Sequence, residues 1–131
     1  MLIFLRVLFL VVLASMVAVT TWASGHCALF NIPREVFTHP WFIATLVDAY
    51  WAFIAFFVWV AWKEQALAAR VLWFIAIILL GNIAIAGYLL RELFHIRTSP
   101  EISLVFTRRN RGTGILPGVL VSLAVGVYLW A

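Results

Sequence analysis

Asp48 is the side chain best placed to do chemistry, because it is the only acidic residue inside a long apolar run from Trp41 to Trp62. A carboxylate at the centre of a membrane costs about 2.5 kcal/mol or more unless a partner or water meets it. A carboxylic acid kept neutral in an apolar cleft can act as a general acid. Asp48 is therefore the first candidate for a functional residue.

Asn82 is the predicted partner of Asp48. It lies near the middle of the third apolar run, between Gly81 and Gly87, which would let neighbouring helices approach closely. Counting residues along two antiparallel helices places Asp48 and Asn82 at similar depths. We predict that they hydrogen-bond or share a polar pocket. Two interpretations stay open: a structural contact between helices, or a catalytic pair with Asp48 as acid and Asn82 as positioning residue.

Three histidines and the single cysteine form a second candidate set, because imidazole and thiolate groups bind metals. They are His26, Cys27, His39 and His95. Their spacing matches no paired metal motif, so we expect side chains at a membrane interface and predict no metal site. No residue pattern in the sequence indicates a particular cofactor.

Two basic–acidic pairs, Lys63-Glu64 and Arg91-Glu92, close the second and third apolar runs. We expect them to be solvated anchors at the membrane interface. Arg6 lies one turn into the first run. It is expected to extend toward the interface, or to reach a carboxylate such as Glu64 on the same side.

Composition identifies lipid as the solvent of the helices that carry these residues. The 131 residues are 66% hydrophobic and 11% charged, with a mean hydropathy of +1.13, whereas soluble domains are about half apolar. The net charge of +4 comes from basic residues that flank apolar runs. This pattern predicts contact with membrane lipid and no nucleic-acid partner.

Apolar runs fall at about 2–23, 41–62, 71–90 and 114–130. Each approaches the roughly 20 residues that a spanning helix needs. We predict an all-α fold in which residues 1–131 form one integral membrane bundle of four transmembrane helices. The first run is taken as a retained helix, because its apolar core exceeds the roughly 7–15 residues of a signal peptide.

With four spans, loops 24–40 and 91–113 lie on one side of the membrane. That side would carry six arginines, and the other side would carry Arg6, Lys63 and Arg70. The excess of basic residues predicts that both loops are cytoplasmic. The short 63–70 link predicts that the second and third helices form an antiparallel hairpin.

Small residues recur every fourth position in the fourth run, at Gly114, Gly118, Ser122 and Gly126. Such a ladder lies on one helix face and allows close packing of another backbone. We predict a helix-packing role, with two partners left open: the first helix or a second transmembrane protein.

Four blocks carry a family resemblance: Val19–Ser24, Pro40–Tyr50, Trp59–Glu64 and Leu80–Ala84. They resemble an uncharacterised membrane family of plants and bacteria, the domain-of-unknown-function family fourteen seventy-five. This resemblance covers the first three runs and implies a membrane location but no activity. More loosely, the pattern of Asp48 and Glu64 resembles membrane-integral terpene cyclases, which use acidic residues to protonate an isoprenoid.

Two classes of function follow. The first is a non-enzymatic accessory subunit, or a lipid- or pigment-contacting scaffold of a membrane complex, which the small size and the glycine ladder favour. The alternative is a membrane-embedded isoprenoid or lipid cyclase or isomerase with Asp48 as general acid; a small transporter is a third option. An enzyme requires a cavity of a few hundred Å³ that reaches Asp48.

Overall fold

Seven α-helices are present in residues 1–130, the part of the chain that the computed structural model describes. No extended strand occurs within that range, so the prediction of an all-α fold is confirmed. α1 and α3 are long and apolar enough to cross a membrane, judged by length and composition. The helices are α1 (Leu2–His26), α2 (Arg34–Thr38), α3 (Pro40–Lys63), α4 (Leu67–Leu80), α5 (Asn82–His95), α6 (Ile102–Thr107) and α7 (Ile115–Trp130).

The predicted third helix is broken at Gly81. A straight helix would separate Trp73 from Tyr88 by about 22 Å, yet the centroids of their rings lie 4.8 Å apart. The chain therefore turns back on itself, and α4 and α5 form an antiparallel hairpin. The prediction of one continuous helix over 71–90 is wrong.

Two independent features of the turn require glycine at position 81. Its backbone has φ +52° and ψ −123°, a conformation that residues with a Cβ rarely adopt. A Cβ built at Gly81 would also lie 2.7 Å from Cζ of Phe53 on α3. Only glycine combines this backbone conformation with so close an approach of α3.

The hairpin changes which loops share an end of the bundle. α3 has 24 residues and is about 36 Å long, so its Lys63 end and its His39 end are well separated. Because α5 returns toward Lys63, residues 91–113 begin at the Lys63 end. Loop 24–40 joins α1 to the start of α3 and lies at the His39 end. The prediction that 24–40 and 91–113 share one side is wrong.

Two contacts show in which direction α1 and α7 run between the Lys63 end and the His39 end. Arg6 of α1 donates Nη2 hydrogen bonds to the carbonyls of Leu93 (2.9 Å) and Ile96 (2.7 Å), so α1 begins at the Lys63 end. The hydroxyl of Tyr128 donates to the carbonyl of Leu79 beside the hairpin tip (2.8 Å). α7 therefore runs from the Lys63 end toward the His39 end.

The apolar core lies in the Lys63 half of the molecule, where α3, the α4–α5 hairpin and α7 meet. Trp73 and Tyr88 are fully buried at its centre. A second apolar cluster joins Leu2 of α1 to Leu93 of α5 and Val105 of α6. Toward the His39 end the outer surfaces of α1 and α3 are largely exposed.

The glycine ladder of α7 packs against α4 in its first half only. A Cβ at Gly114 would lie 3.1 Å from Cδ1 of Leu72, and one at Gly118 would lie 4.0 Å from the same atom. Gly126 has no such neighbour within 4 Å, and Ser122 is exposed. The helix that contacts the first half of the ladder is thus α4. Ser122 and Gly126 in the second half line a cavity together with Ser24 and Gly25 at the end of α1.

Candidate functional site

A buried set of charged and polar side chains lies at the Lys63 end of the bundle. Lys63, Glu64 and Glu92 have exposed fractions of 0%, 0% and 1%. Buried ions are stable only when they are paired and hydrogen-bonded. We call this set the charge network; it consists of Lys63, Glu64, Tyr88, Arg91, Glu92 and Asn110.

Glu64 is held through one of its two oxygens. Its Oε1 accepts hydrogen bonds from the Tyr88 hydroxyl (2.9 Å), Arg91 Nη2 (2.6 Å) and Asn110 Nδ2 (2.8 Å). Its Oε2 is buried and has no hydrogen-bond partner among the described residues. The three donors therefore stabilise the negative charge of Glu64 through Oε1, while Oε2 is buried without a donor.

Glu92 links the two basic residues of the network. Its Oε2 lies 2.8 Å from Lys63 Nζ, and its Oε1 accepts from Arg91 Nη2 (2.8 Å) and Asn110 Nδ2 (2.8 Å). Lys63 Nζ also donates to the carbonyl of Arg108. Two carboxylates and two cations thus alternate in a charge-balanced cluster, which limits the cost of burying each ion.

Three separate stretches of chain bring the network together. Lys63-Glu64 ends α3, and Arg91-Glu92 lies near the end of α5, which the turn at Gly81 returns to the same level. Asn110 is fixed through its backbone: its N–H donates to the carbonyl of Lys63 (2.8 Å), and its carbonyl accepts from the N–H of Gln65 (2.9 Å).

The expectation that both basic–acidic pairs are solvated anchors is wrong. Lys63, Glu64 and Glu92 are buried, and Arg91 keeps only 17% of its side chain exposed. Arg6 binds carbonyls at the end of α5 and no carboxylate of the network, so the alternative in which it reaches Glu64 is wrong. The signal for this network in the sequence was the basic–acidic dipeptide repeated at two helix ends. It indicates a network only when both helix ends are known to lie at the same end of the bundle.

The charge network lies apart from the two cavities of the described residues. Two cavities stand out among residues 1–130, and no network residue lines either of them. The rings of Trp73 and Phe56 pack against Tyr88 from two sides. The arrangement can join α3, α5 and the 108–112 segment electrostatically.

The structure does not bring Asp48 and Asn82 together. Both residues are exposed, and no hydrogen bond joins them within residues 1–130, so that part of the prediction is wrong. The hairpin tip at Gly81 meets α3 at Phe53, and Asp48 lies about 7 Å further toward the His39 end. The hairpin is thus too short to reach Asp48. The proposed catalytic roles of Asp48 and Asn82 stay predictions.

The histidines and the cysteine are divided between the two ends. His26, Cys27 and His39 lie near the His39 end, whereas His95 ends α5 at the Lys63 end, so the expectation of a shared side is wrong. His26 and His95 each bond through Nδ1 to a carbonyl one turn earlier, that of Trp22 and that of Arg91. Within the described range no group of three or more His, Cys, Asp or Glu side chains could hold a metal ion.

Comparison with known proteins identifies the family. The family model DUF1475, described as a protein of unknown function, matches residues 1–111. This range contains every residue of the charge network and ends before α7. No curated protein and no solved structure matches the chain. The resemblance to the domain-of-unknown-function family fourteen seventy-five is confirmed, and the chain belongs to the DUF1475 family of proteins of unknown function.

Proposed function

We propose that this protein is a non-enzymatic, multi-pass membrane scaffold that binds another transmembrane protein through the outer face of α3. In place of four spans, α1, α3 and α7 cross the membrane, and the α4–α5 hairpin enters from the Lys63 end and returns. Lipid requires every backbone polar group at the hairpin tip to be bonded. Gly81 itself is bonded on both sides, since its N–H donates to the carbonyl of Ile77 (2.8 Å) and its carbonyl accepts from the N–H of Ile85 (3.1 Å).

The distribution of basic residues supports one orientation in the membrane. Of the nine lysines and arginines, eight lie at the Lys63 end and only Arg34 lies at the His39 end. Basic residues concentrate on the cytoplasmic side of membrane proteins. The Lys63 end, with loops 63–70 and 91–113, is therefore cytoplasmic in this proposal, and loop 24–40 is on the opposite side.

One observation carries the proposed binding function: Asp48 is exposed on a face of α3 that has no packing partner among residues 1–130. Ala44, Ala52 and Ala55 are exposed on the same face, because their positions differ from 48 by whole helical turns. We call these four residues the Asp48 stripe. Small residues allow a partner helix to approach closely, and a polar group on that helix would meet the carboxylate.

The enzyme alternative lacks the space that a reaction requires. Asp48 lines neither of the two cavities, and no residue of the charge network lines them either. No observation favours the terpene cyclase resemblance or the transporter option. Asp48 as a contact between proteins explains both its exposure and the small residues around it.

Site-specific photo-cross-linking in native membranes tests this proposal. Trp51 is 66% exposed beside the stripe, and we would replace it with benzoyl-phenylalanine. We expect a single discrete protein adduct, which is lost when Ala52→Leu adds bulk to the stripe. The matched control is Ala18→Leu, the same change at an exposed position of α1, which should leave the adduct unchanged. Adducts with lipid only, or equal loss in both variants, would overturn the proposal.

A further inference from the structure

An apolar slot of about 360 Å³ opens near the Lys63 end between α1, α3, α5 and α6. Every residue that lines it is apolar, and the rings of Phe9, Phe56, Trp59 and Phe106 form much of its wall. The one polar atom of the Trp59 side chain, Nε1, donates to the carbonyl of Phe106 (3.4 Å). The slot falls in the size range of small-ligand sites, about 300–1,000 Å³, and its chemistry suits a hydrocarbon chain.

Three arginines flank α6, the helix that covers the slot at the Lys63 end. Arg97 and Arg109 are exposed, and neither guanidinium group forms a salt bridge within residues 1–130. The Glu101 carboxylate bonds to the backbone N–H of Arg97. The Arg109 side chain is held in place by a bond from Nε to the carbonyl of Trp62 (3.1 Å) and by stacking on its ring. Arg108 is 40% exposed and reaches Glu92 only at 4.0 Å. Guanidinium groups of this kind bind phosphate in a bidentate manner.

The slot and the arginines are adjacent. Phe106 lines the slot, and Arg108 and Arg109 follow it after a single residue, Thr107. Lys63, whose Nζ lies 5.8 Å from the centroid of the Trp59 ring, bonds to the carbonyl of Arg108. A ligand with a negatively charged group at the Lys63 end and an apolar chain directed into the bundle would satisfy both features.

We propose that this site binds an anionic phospholipid, with one acyl chain in the slot and the phosphate at Arg97, Arg108 and Arg109. The inference rests on the membrane placement given under the proposed function. Free phosphate would leave the apolar slot unfilled. A helix of another protein, about 10 Å across, would not enter a slot of this size. Acidic headgroups are also enriched on the membrane face to which the basic end is assigned.

Native mass spectrometry of the purified full chain tests the site, with phosphatidylglycerol and phosphatidylcholine supplied in equal amounts. We expect one retained phosphatidylglycerol, with a preference of about tenfold over phosphatidylcholine. Leu89→Trp, which fills the slot, should abolish retention of either lipid. The double variant Arg97→Gln/Arg109→Gln should remove the preference for phosphatidylglycerol and keep the retained lipid.

Matched controls lie at the other end of the bundle. Leu123→Trp adds the same ring at a position that is 60% exposed on α7, and Arg34→Gln removes a charge at the His39 end. Both should bind lipid as the wild type does. Equal retention in Leu89→Trp and Leu123→Trp, or an unchanged preference in the arginine double variant, would overturn the proposal.

A second measurement needs no slot-filling variant and covers the case in which Leu89→Trp does not fold. Phosphatidylglycerol with brominated acyl chains should quench the fluorescence of Trp59, identified by difference from Trp59→Phe, more strongly than brominated phosphatidylcholine does. Equal quenching by the two lipids would overturn the lipid site. Cross-linking at position 51 reports the partner of α3 independently, so failure of the scaffold proposal would be recognised separately.

Discussion

Two acidic residues of α3 and its C-terminal end, Asp48 and Glu64, differ in how many hydrogen bonds the chain donates to their carboxylates. Glu64, just after the last residue of α3, is fully buried and accepts three hydrogen bonds through one oxygen. Asp48, nearer the His39 end, is exposed and has no hydrogen-bond partner among residues 1–130. The difference separates a carboxylate that the fold itself satisfies from one that the described residues leave without a hydrogen-bond donor.

The apolar residues show the same division. Trp73 has an exposed fraction of 0% in the Lys63 half, whereas Trp41 and Trp51 near the His39 end are 78% and 66% exposed. Large exposed rings on a helix indicate lipid or a protein partner as their environment. The Lys63 half therefore contains the buried core, and the His39 half leaves large apolar side chains exposed.

The largest expected effect comes from removing one carboxylate of the charge network. Glu92→Leu should lower the free energy of unfolding by about 3–5 kcal/mol, because Lys63 is left as a buried cation without its acceptor. Thermal unfolding in detergent micelles, followed by circular dichroism, measures the change. The same change at an exposed carboxylate, Asp48→Leu, is the control and should have little effect.

The double variant Lys63→Met/Glu92→Leu sharpens this test. Removing both charges eliminates the unpaired cation, so the double variant should recover much of the loss seen in Glu92→Leu. Additive losses from Lys63→Met and Glu92→Leu would show that the two side chains act separately. That outcome would contradict the role assigned to the network.

The next effect concerns the turn that brings the network together. Gly81→Ala should destabilise the protein by about 1–3 kcal/mol, since the added Cβ meets both the positive φ and the ring of Phe53. Gly87→Ala is the matched control within α5, because its nearest neighbour atom, on Leu120, is 4.0 Å away. It should be neutral or slightly stabilising. Equal thermal stability of the two variants would contradict the assigned role of Gly81.

The sequence predicted the long helices well because their signal is local. The predicted runs 2–23, 41–62 and 114–130 lie close to α1, α3 and α7, since apolar length decides such helices. The break at Gly81 could not be predicted in the same way. Glycine also occurs within membrane helices, and the close approach of Phe53 exists only in the folded chain.

The charge network was missed for a related reason. Asp48 stood out because a charge inside an apolar run is a local signal. Glu64 and Glu92 occur at helix ends, where charged residues are usually solvated. Their burial depends on the hairpin and on Asn110, which is distant along the chain. Sequence periodicity carries no information about either condition.

A smaller effect is expected in the surface turn at Ser99–Glu101. The Glu101 carboxylate accepts hydrogen bonds from the N–H groups of Arg97 (2.8 Å) and Thr98 (3.4 Å). These bonds lower the pKa of Glu101 from its ordinary value. A lowered pKa in the folded chain means that the bonds stabilise the turn at neutral pH and are lost as the pH falls through that lowered pKa.

Glu101→Gln should therefore speed exchange of the Arg97 amide at neutral pH, because the carboxylate acceptor is lost. Since glutamine does not titrate, the exchange rate in this variant should not change when the pH falls through the pKa of Glu101. Hydrogen exchange followed by mass spectrometry, corrected for the intrinsic pH dependence of exchange, measures this locally. Ser103→Ala, at an exposed site in the following helix, is the control. Protection of Arg97 that is the same in Glu101→Gln and wild type would contradict the capping role.

The smallest effect on the isolated protein is expected at Asp48, where the contrast with Glu64 is sharpest. Asp48→Asn should change the free energy of unfolding by less than about 0.5 kcal/mol, because no contact within the chain depends on the carboxylate. The same measurement on Glu64→Gln should show a clear loss, since Arg91 and Tyr88 both bond to that carboxylate. A loss in Asp48→Asn as large as in Glu64→Gln would mean that Asp48 has an internal partner, and the reason for placing a second protein on α3 would disappear.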